Sequence, residues 1–210
     1  MRKAPFVAFA IVAGTAAIAQ QAMQAPGTPD PSRITGGTYT ADAGHTLVGW
    51  RVNHLGFNDY FGIFGDVAGT LVLDPKKPAA AKVDVTIPVA KVTTANAGLT
   101  SHLLRAGKDG GKPDFFGPSP ADARFVSTSV AVSGTTAKIS GNLTLNGVTK
   151  PVVLDAKFTG AGPSPMGGAE TVGFEATTTI KRGEFGIGYG IPMVSDEVEL
   201  DITAAFEKKG

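Results

Sequence analysis

After Tyr39, apolar and polar residues alternate in short runs, the period expected of half-buried β-strands. Val48, Trp50 and Val52 share one face with His54 next in phase, while Arg51 and Asn53 point the other way. Val83, Val85 and Ile87 alternate with Lys82, Asp84 and Thr86 in the cleanest such run. Ile139, Gly141, Leu143 and Leu145 form another, and Val152, Leu154, Ala156 and Phe158 resume the pattern after a connection opened by Gly147. Val172, Phe174, Ala176, Thr178 and Ile180 follow, then Val198, Leu200, Ile202, Ala204 and Phe206. With segments 62–73 and 125–132 the pattern predicts about eight strands, spaced as in a meander or barrel.

One segment departs from period two. Leu99, Leu103 and Leu104 lie at helical spacing behind Thr93, Thr94 and Asn96, each a capping residue type, so a single short helix is expected within 96–106. The glycine-rich stretch from Ala106 to Asp114 reads as an exposed loop.

The first nineteen residues have the form of a secretory signal. Arg2 and Lys3 give a positive start, Phe6 to Ile18 an apolar stretch, and Ala17-Ile18-Ala19 a small-x-small site with cleavage before Gln20. Residues 20–37, rich in proline and glycine, read as a flexible leader, which leaves 38–209 as one domain. Export makes the periplasm the expected location. Losing Arg2 and Lys3 takes the formal charge from +1 to −1, with both signs scattered, so neither nucleic acid nor an anionic surface is an expected partner. The sequence contains no cysteine, and stability outside the cell must therefore come from an ample core.

An antiparallel sheet of this size removes its edges by closing into a barrel, whose interior is either filled by side chains or holds one small ligand. The inward faces mix the bulky Trp50, Phe158, Phe174 and Phe206 with the small Gly141, Ala156, Ala176 and Ala204. Small residues facing small ones leave space. A two-sheet sandwich would show a similar pattern, and on the residues alone cavity and filled core remain open.

Chemistry is sparse. His45, His54 and His102 lack the spacing of a metal site, so no metal is expected, and His54 reads as a polar group ending an inward face. Ser127 and Ser140 sit in no nucleophile elbow. Glu197 and Glu199 alternate with Val198 and Leu200 and face water beside Asp196. The glycines from Gly183 to Gly190 lack a phosphate-loop context and mark a bend. Lys181 and Arg182 are the cations near that bend, with surface solvation the simpler role. No catalytic residue is assigned.

Several segments together resemble the YceI-like family of lipocalin-like barrels. They are YTADAGHTLVGWRVNH from Tyr39 to His54, Gly62 with Phe64 and Gly69, and Thr93 with His102-Leu103. Next come Phe115-Phe116, Pro120 to Phe125 and NLTLNGVTKPVVL from Asn142 to Leu154. The closing pair is IKRGEFGI from Ile180 and VSDEVELDI from Val194. The resemblance implies an all-β, lipocalin-like antiparallel barrel with one short α-helix and an apolar tunnel. That tunnel would bind, store or transport a polyisoprenoid, quinone or fatty lipid in the periplasm, without catalysis or other cofactor, in a possible homodimer. Val48, Trp50, Val52, His54, Phe64, Leu143, Leu145, Phe158, Phe174 and Phe185 would line it. His54, Asn146 and Arg182 would meet a head group. Asn146 stands where the family commonly has histidine, and the loop at 106–114 is longer than usual, so the head-group preference does not carry over. The alternatives are an envelope interaction protein with a filled barrel, and an enzyme acting on a bound lipid or quinone with His54 as its polar group.

Overall fold

The computed structural model describes residues 25–209. The expected signal segment and its cleavage site lie outside the described residues. Ten strand segments follow in chain order: β1 (Gly37–Ala41), β2 (Leu47–His54), β3 (Asn58–Phe64), β4 (Ala68–Leu73), β5 (Lys82–Ile87), β6 (Ala123–Ser133), β7 (Thr136–Leu145), β8 (Val148–Pro163), β9 (Glu170–Lys181) and β10 (Glu197–Lys208). Among the described residues the single α-helix, α1 (Ala97–Leu104), sits between β5 and β6.

All pairings are antiparallel, in the order β1-β4-β5-β6-β7-β8-β9-β10-β2-β3, and β1 also pairs with β10. The sheet therefore closes. Along β10, Phe206 to Lys208 pair with β1 while Glu199 to Thr203 pair with β2, so β1 and β2 succeed each other along one position of the barrel. Their partners β4 and β3 do the same, and the ten segments make an eight-stranded barrel. Where β1 gives way to β2, the backbone ladder is patched by the buried Thr46. Its hydroxyl donates to the Ala205 carbonyl at 3.1 Å and accepts from the Ala205 N–H at 3.2 Å.

Local chemistry accounts for the connections. Asn146 and Gly147 both have positive φ, 51° and 77°, the two-residue hairpin turn that Asn-Gly favours and that fixes the β7–β8 register from Leu145↔Val148 onward. Asn96 caps α1, its side chain accepting from the Leu99 N–H at 3.1 Å. Gly69, at φ 142°, passes so near β5 that a Cβ would lie 2.2 Å from the Asp84 carbonyl oxygen.

The expected inward faces point inward. Three buried clusters line the interior: one around Tyr39, Leu73, Phe158 and Phe206, one around Val52, Phe125, Leu143 and Val198, and one around Val67, Ile87 and Val89. Yet Trp50, Val83, Phe174, Leu200 and Ala204, on the same faces, are only half-buried. They pack on the edges of these clusters and on their cross-strand partners, and also face the hollow of the barrel.

Residues 25–37 differ from the expected free leader. Thr28 pairs with Ala161 of β8, Pro31–Arg33 form a 3-10 turn, and Ile34 packs on the first cluster. No periodic apolar pattern announces this docking, because hydrogen bonds to the Ala161 backbone and to the Glu170 and Tyr39 side chains hold it rather than an apolar stripe.

Candidate functional site

A cavity of about 710 Å³ runs along the barrel, within the range of small-molecule sites. Its wall is almost wholly apolar. Two cross-strand pairs show how the room arises: Phe158 stands opposite Phe174, and next to them Ala156 opposite Ala176, so a bulky pair borders a small one. Gly141 gives no such room, since the Phe125 ring lies over it, with Cζ 2.4 Å from where a Cβ would sit. The lining reaches exposed residues at both ends, Leu99 of α1 and the nearby Tyr189 at one, and Thr135 and Lys157 at the opposite end.

Nine of the ten residues expected to line the interior do so: Val48, Trp50, Val52, His54, Phe64, Leu143, Leu145, Phe158 and Phe174. Phe185 does not. It is 1% exposed, in the 3-10 turn Arg182–Phe185, and packs into the cluster of Leu143, Ile180 and Val198 away from the cavity wall. Asn146 is also absent from the wall, because its side-chain amide donates to the Phe185 carbonyl at 2.9 Å and ties the β7–β8 turn to that helical turn.

Arg182 corrects the expectation of a solvated cation. It is 5% exposed, and its guanidinium donates to four carbonyls: Ser195 through Nε at 2.8 Å, Ile187 and Tyr189 through Nη1 at 2.9 and 2.8 Å, and Val194 through Nη2 at 2.8 Å. Burial lowers its affinity for the proton, with the Asp196 carboxylate acting the other way. A group so engaged holds the 187–195 segment in place as cavity wall, and Arg182 itself lines the cavity with one of its five N–H groups uncommitted. Asp196 accepts from the Gly183 N–H at 2.7 Å, which gives that acidic residue a structural duty.

At the helix end, His102, Phe115 and Tyr189 meet edge to face with ring centroids 5.2–5.6 Å apart. His102 Nε2 lies 2.8 Å from Asp114 Oδ2, and Arg105 donates to the same oxygen at 2.7 Å. Those bonds, the Arg105 one foremost, hold the Asp114 carboxyl below its usual range. His102 thus ties the helix to the Asp114 side chain and also lines the cavity. Tyr60, Leu99, Phe116 and Tyr189 were missed with it. The tilted pair of Trp50 and Tyr60, 6.4 Å apart, brings two buried polar atoms to the wall, Trp50 Nε1 and Tyr60 Oη, neither with a hydrogen-bond partner among the described residues. Ser127, at a bulge in β6, accepts from the Val83 N–H at 2.8 Å, and His45 lies 2.6 Å from Asp42. No group of three potential metal ligands occurs among the described residues.

Residues 39–206 match the YceI-like domain family. The chain belongs to that family. Protein YceI of Escherichia coli is 43% identical over 160 residues, 76% of this chain and 80% of that protein. Among solved structures, the Campylobacter jejuni YCEI protein superposes with a TM-score of 0.62 at 30% identity, covering 75% of this chain and 90% of its own. A polyisoprenoid binding domain from Saccharophagus degradans shares the fold, with a TM-score of 0.57 at 13% identity over 81% of this chain and 98% of that one. The YceI-like match ends two residues after Ala204, at Phe206, and begins at Tyr39, so it takes in every strand except the first two residues of β1 and the last two of β10, and omits the docked segment before β1.

Proposed function

We propose that this YceI-like protein binds a long-chain isoprenoid, quinone-like or other amphipathic lipid in its cavity, and stores or carries it in the periplasm. The observation that carries the reading is the apolar cavity of about 710 Å³ inside a closed barrel. An apolar void of that size loses the packing contacts a filled core would have, which selection tolerates most readily where something else fills it. The name of the Saccharophagus degradans domain, built on the same fold, agrees with an isoprenoid chain as that occupant. Burying about twenty methylene equivalents at about 0.8 kcal/mol each supplies about 16 kcal/mol gross. Association and chain ordering offset about 4 to 15 kcal/mol of it. Tail length therefore dominates affinity, and polar groups at the cavity ends orient the head. His54, whose side chain reaches the wall at the end of β2, is the polar residue we assign to that contact. Residues 1–19 act as the export signal in this reading, and the protein has no catalytic step.

Native mass spectrometry of protein purified without detergent, followed by organic extraction, tests the reading. A stoichiometric adduct of an isoprenoid or quinone is the expected result. A clean apo mass, with no uptake of added polyprenol, overturns it and favours an interaction role for the barrel.

A further inference from the structure

The segment before β1 closes part of the barrel end opposite α1. There β8 outruns its neighbour: the β7–β8 ladder stops at Thr136↔Lys157, and the following residues of β8 keep β9 on one side only. Thr28 fills the vacant side at Ala161, donating to its carbonyl at 3.1 Å and accepting from its N–H at 2.9 Å. Two glycines of β8 make the approach possible. A Cβ at Gly162 would lie 2.1 Å from the Pro26 carbonyl oxygen, and one at Gly160 would lie 3.3 Å from the Thr28 nitrogen. Neither glycine has a left-handed backbone, so the missing side chain itself is what the close approach requires.

The strap is also fastened at both of its ends. Arg33 donates from Nη1 to the Pro26 carbonyl at 2.9 Å and to the Thr28 hydroxyl at 2.8 Å, closing the segment on itself. Glu170 of β9 accepts from the Thr35 N–H at 2.8 Å and from the Tyr39 hydroxyl at 2.6 Å. Held this way, Pro31 and Ile34 become cavity wall, and Ile34 packs against the cluster that contains Leu73, Phe158 and Phe206.

We propose that this strap is the length gauge of the cavity, with Pro31 and Ile34 determining how long an apolar chain fits. The proposal rests on the lipid-binding reading and adds to it a property outside the family-matched region, since the strap lies before Tyr39. A chain that reaches Ile34 gains nothing from further methylenes, which must remain in water or displace the side chain. Affinity then rises with tail length up to that wall and levels off beyond it.

The test measures uptake of geraniol, farnesol, geranylgeraniol and solanesol by native mass spectrometry, on the full chain and on three variants with unchanged circular dichroism. Wild type should gain about tenfold or more in affinity with each added isoprene unit until a limit is reached. Ile34→Ala, which deepens the wall, and Gly162→Val, which pushes the strap off β8, should move that limit to longer prenols. Ile34→Trp should move it to shorter ones. A wild-type profile without a limit, or one that all three variants share unchanged, overturns the gauge while leaving lipid binding in place. Failure of every form to take up any prenol overturns lipid binding and the gauge together.

Discussion

Trp50 is the only tryptophan of the chain, and its position ties fluorescence to the cavity. Its indole lies over Gly62, its register partner on β3, where a Cβ would come within 2.5 Å of Cζ2 and 2.6 Å of the Thr93 carbonyl oxygen. Gly62→Val must displace the ring or open the Ile63–Thr93 bridge, and should lower stability by about 1–3 kcal/mol in thermal denaturation while shifting the emission maximum. That Trp50 faces inward is legible in the alternation with Arg51 and Asn53. The burial of Arg182 is not, because a Lys-Arg pair at a strand end signals solvent, and its four acceptors come from residues five to thirteen positions later in an irregular segment. Arg182→Met should cost about 3 kcal/mol by stranding those carbonyls, and Arg182→Lys should not rescue it, since one ammonium cannot span them. Tyr39 supplies the pH dependence. Burial, then the hydrogen bond to Glu170, pushes its phenol up to about 12, against about 10 when unfolded. The neutral phenol is thus favoured in the fold, so its contribution is full below pH 10. It falls as the unfolded chain ionises and is lost by about pH 12, a loss on the order of 2 kcal/mol that denaturant titrations across this range should show and that Tyr39→Phe should abolish.

At the scale of elements, the strands were readable because each has one wet and one dry face, and every inward set named from period two forms the interior. The helix was readable from its leucines and cap. Asn96→Ala removes the acceptor for the Leu99 N–H and should lower stability by about 1 kcal/mol, measured as a drop in melting temperature. Two features had no such signal. The breaks between β1 and β2 and between β3 and β4 lie within apolar-rich stretches and only shift which parity faces inward, from Tyr39 and Ala41 to Val48 and Trp50 and from Tyr60 and Phe64 to Leu71 and Leu73. At the first of them the Thr46 hydroxyl stands in for backbone pairing at Ala205. The strap has no periodicity at all: it is held by main-chain bonds, one arginine and the space left by Gly162, and glycine in a strand reads equally as a bulge or as a close approach. Tertiary partners more than a hundred residues away, such as Glu170 for Thr35, decide whether such a segment docks.

For the whole molecule the question left open by the residues was whether the barrel is filled, and it turns on volume rather than on pattern. Alternation says which side chains point inward; it does not say whether their summed size closes the space, since a ring rotation such as that of Phe125 over Gly141 fills one gap while leaving another at Ala156 and Ala176. That remaining gap offers a decisive variant. Ala176 is 8% exposed, lines the cavity, and stands opposite Ala156 in the β8–β9 ladder, so Ala176→Phe projects a ring into existing space instead of into packed neighbours. Overpacking a tight core lowers stability, whereas filling a void adds contacts. The variant should therefore keep or raise its melting temperature without lipid and lose uptake of long prenols by native mass spectrometry. Wild type should show the complementary behaviour. A ligand that binds only the folded state adds about 2.7 kcal/mol of stability at one hundred times its dissociation constant, so added prenol should raise the wild-type melting temperature and leave that of Ala176→Phe unchanged. A variant that melts higher and still takes up lipid would place the ligand outside the Ala156–Ala176 gap, and a variant that loses stability would mean that this stretch of the barrel is already full.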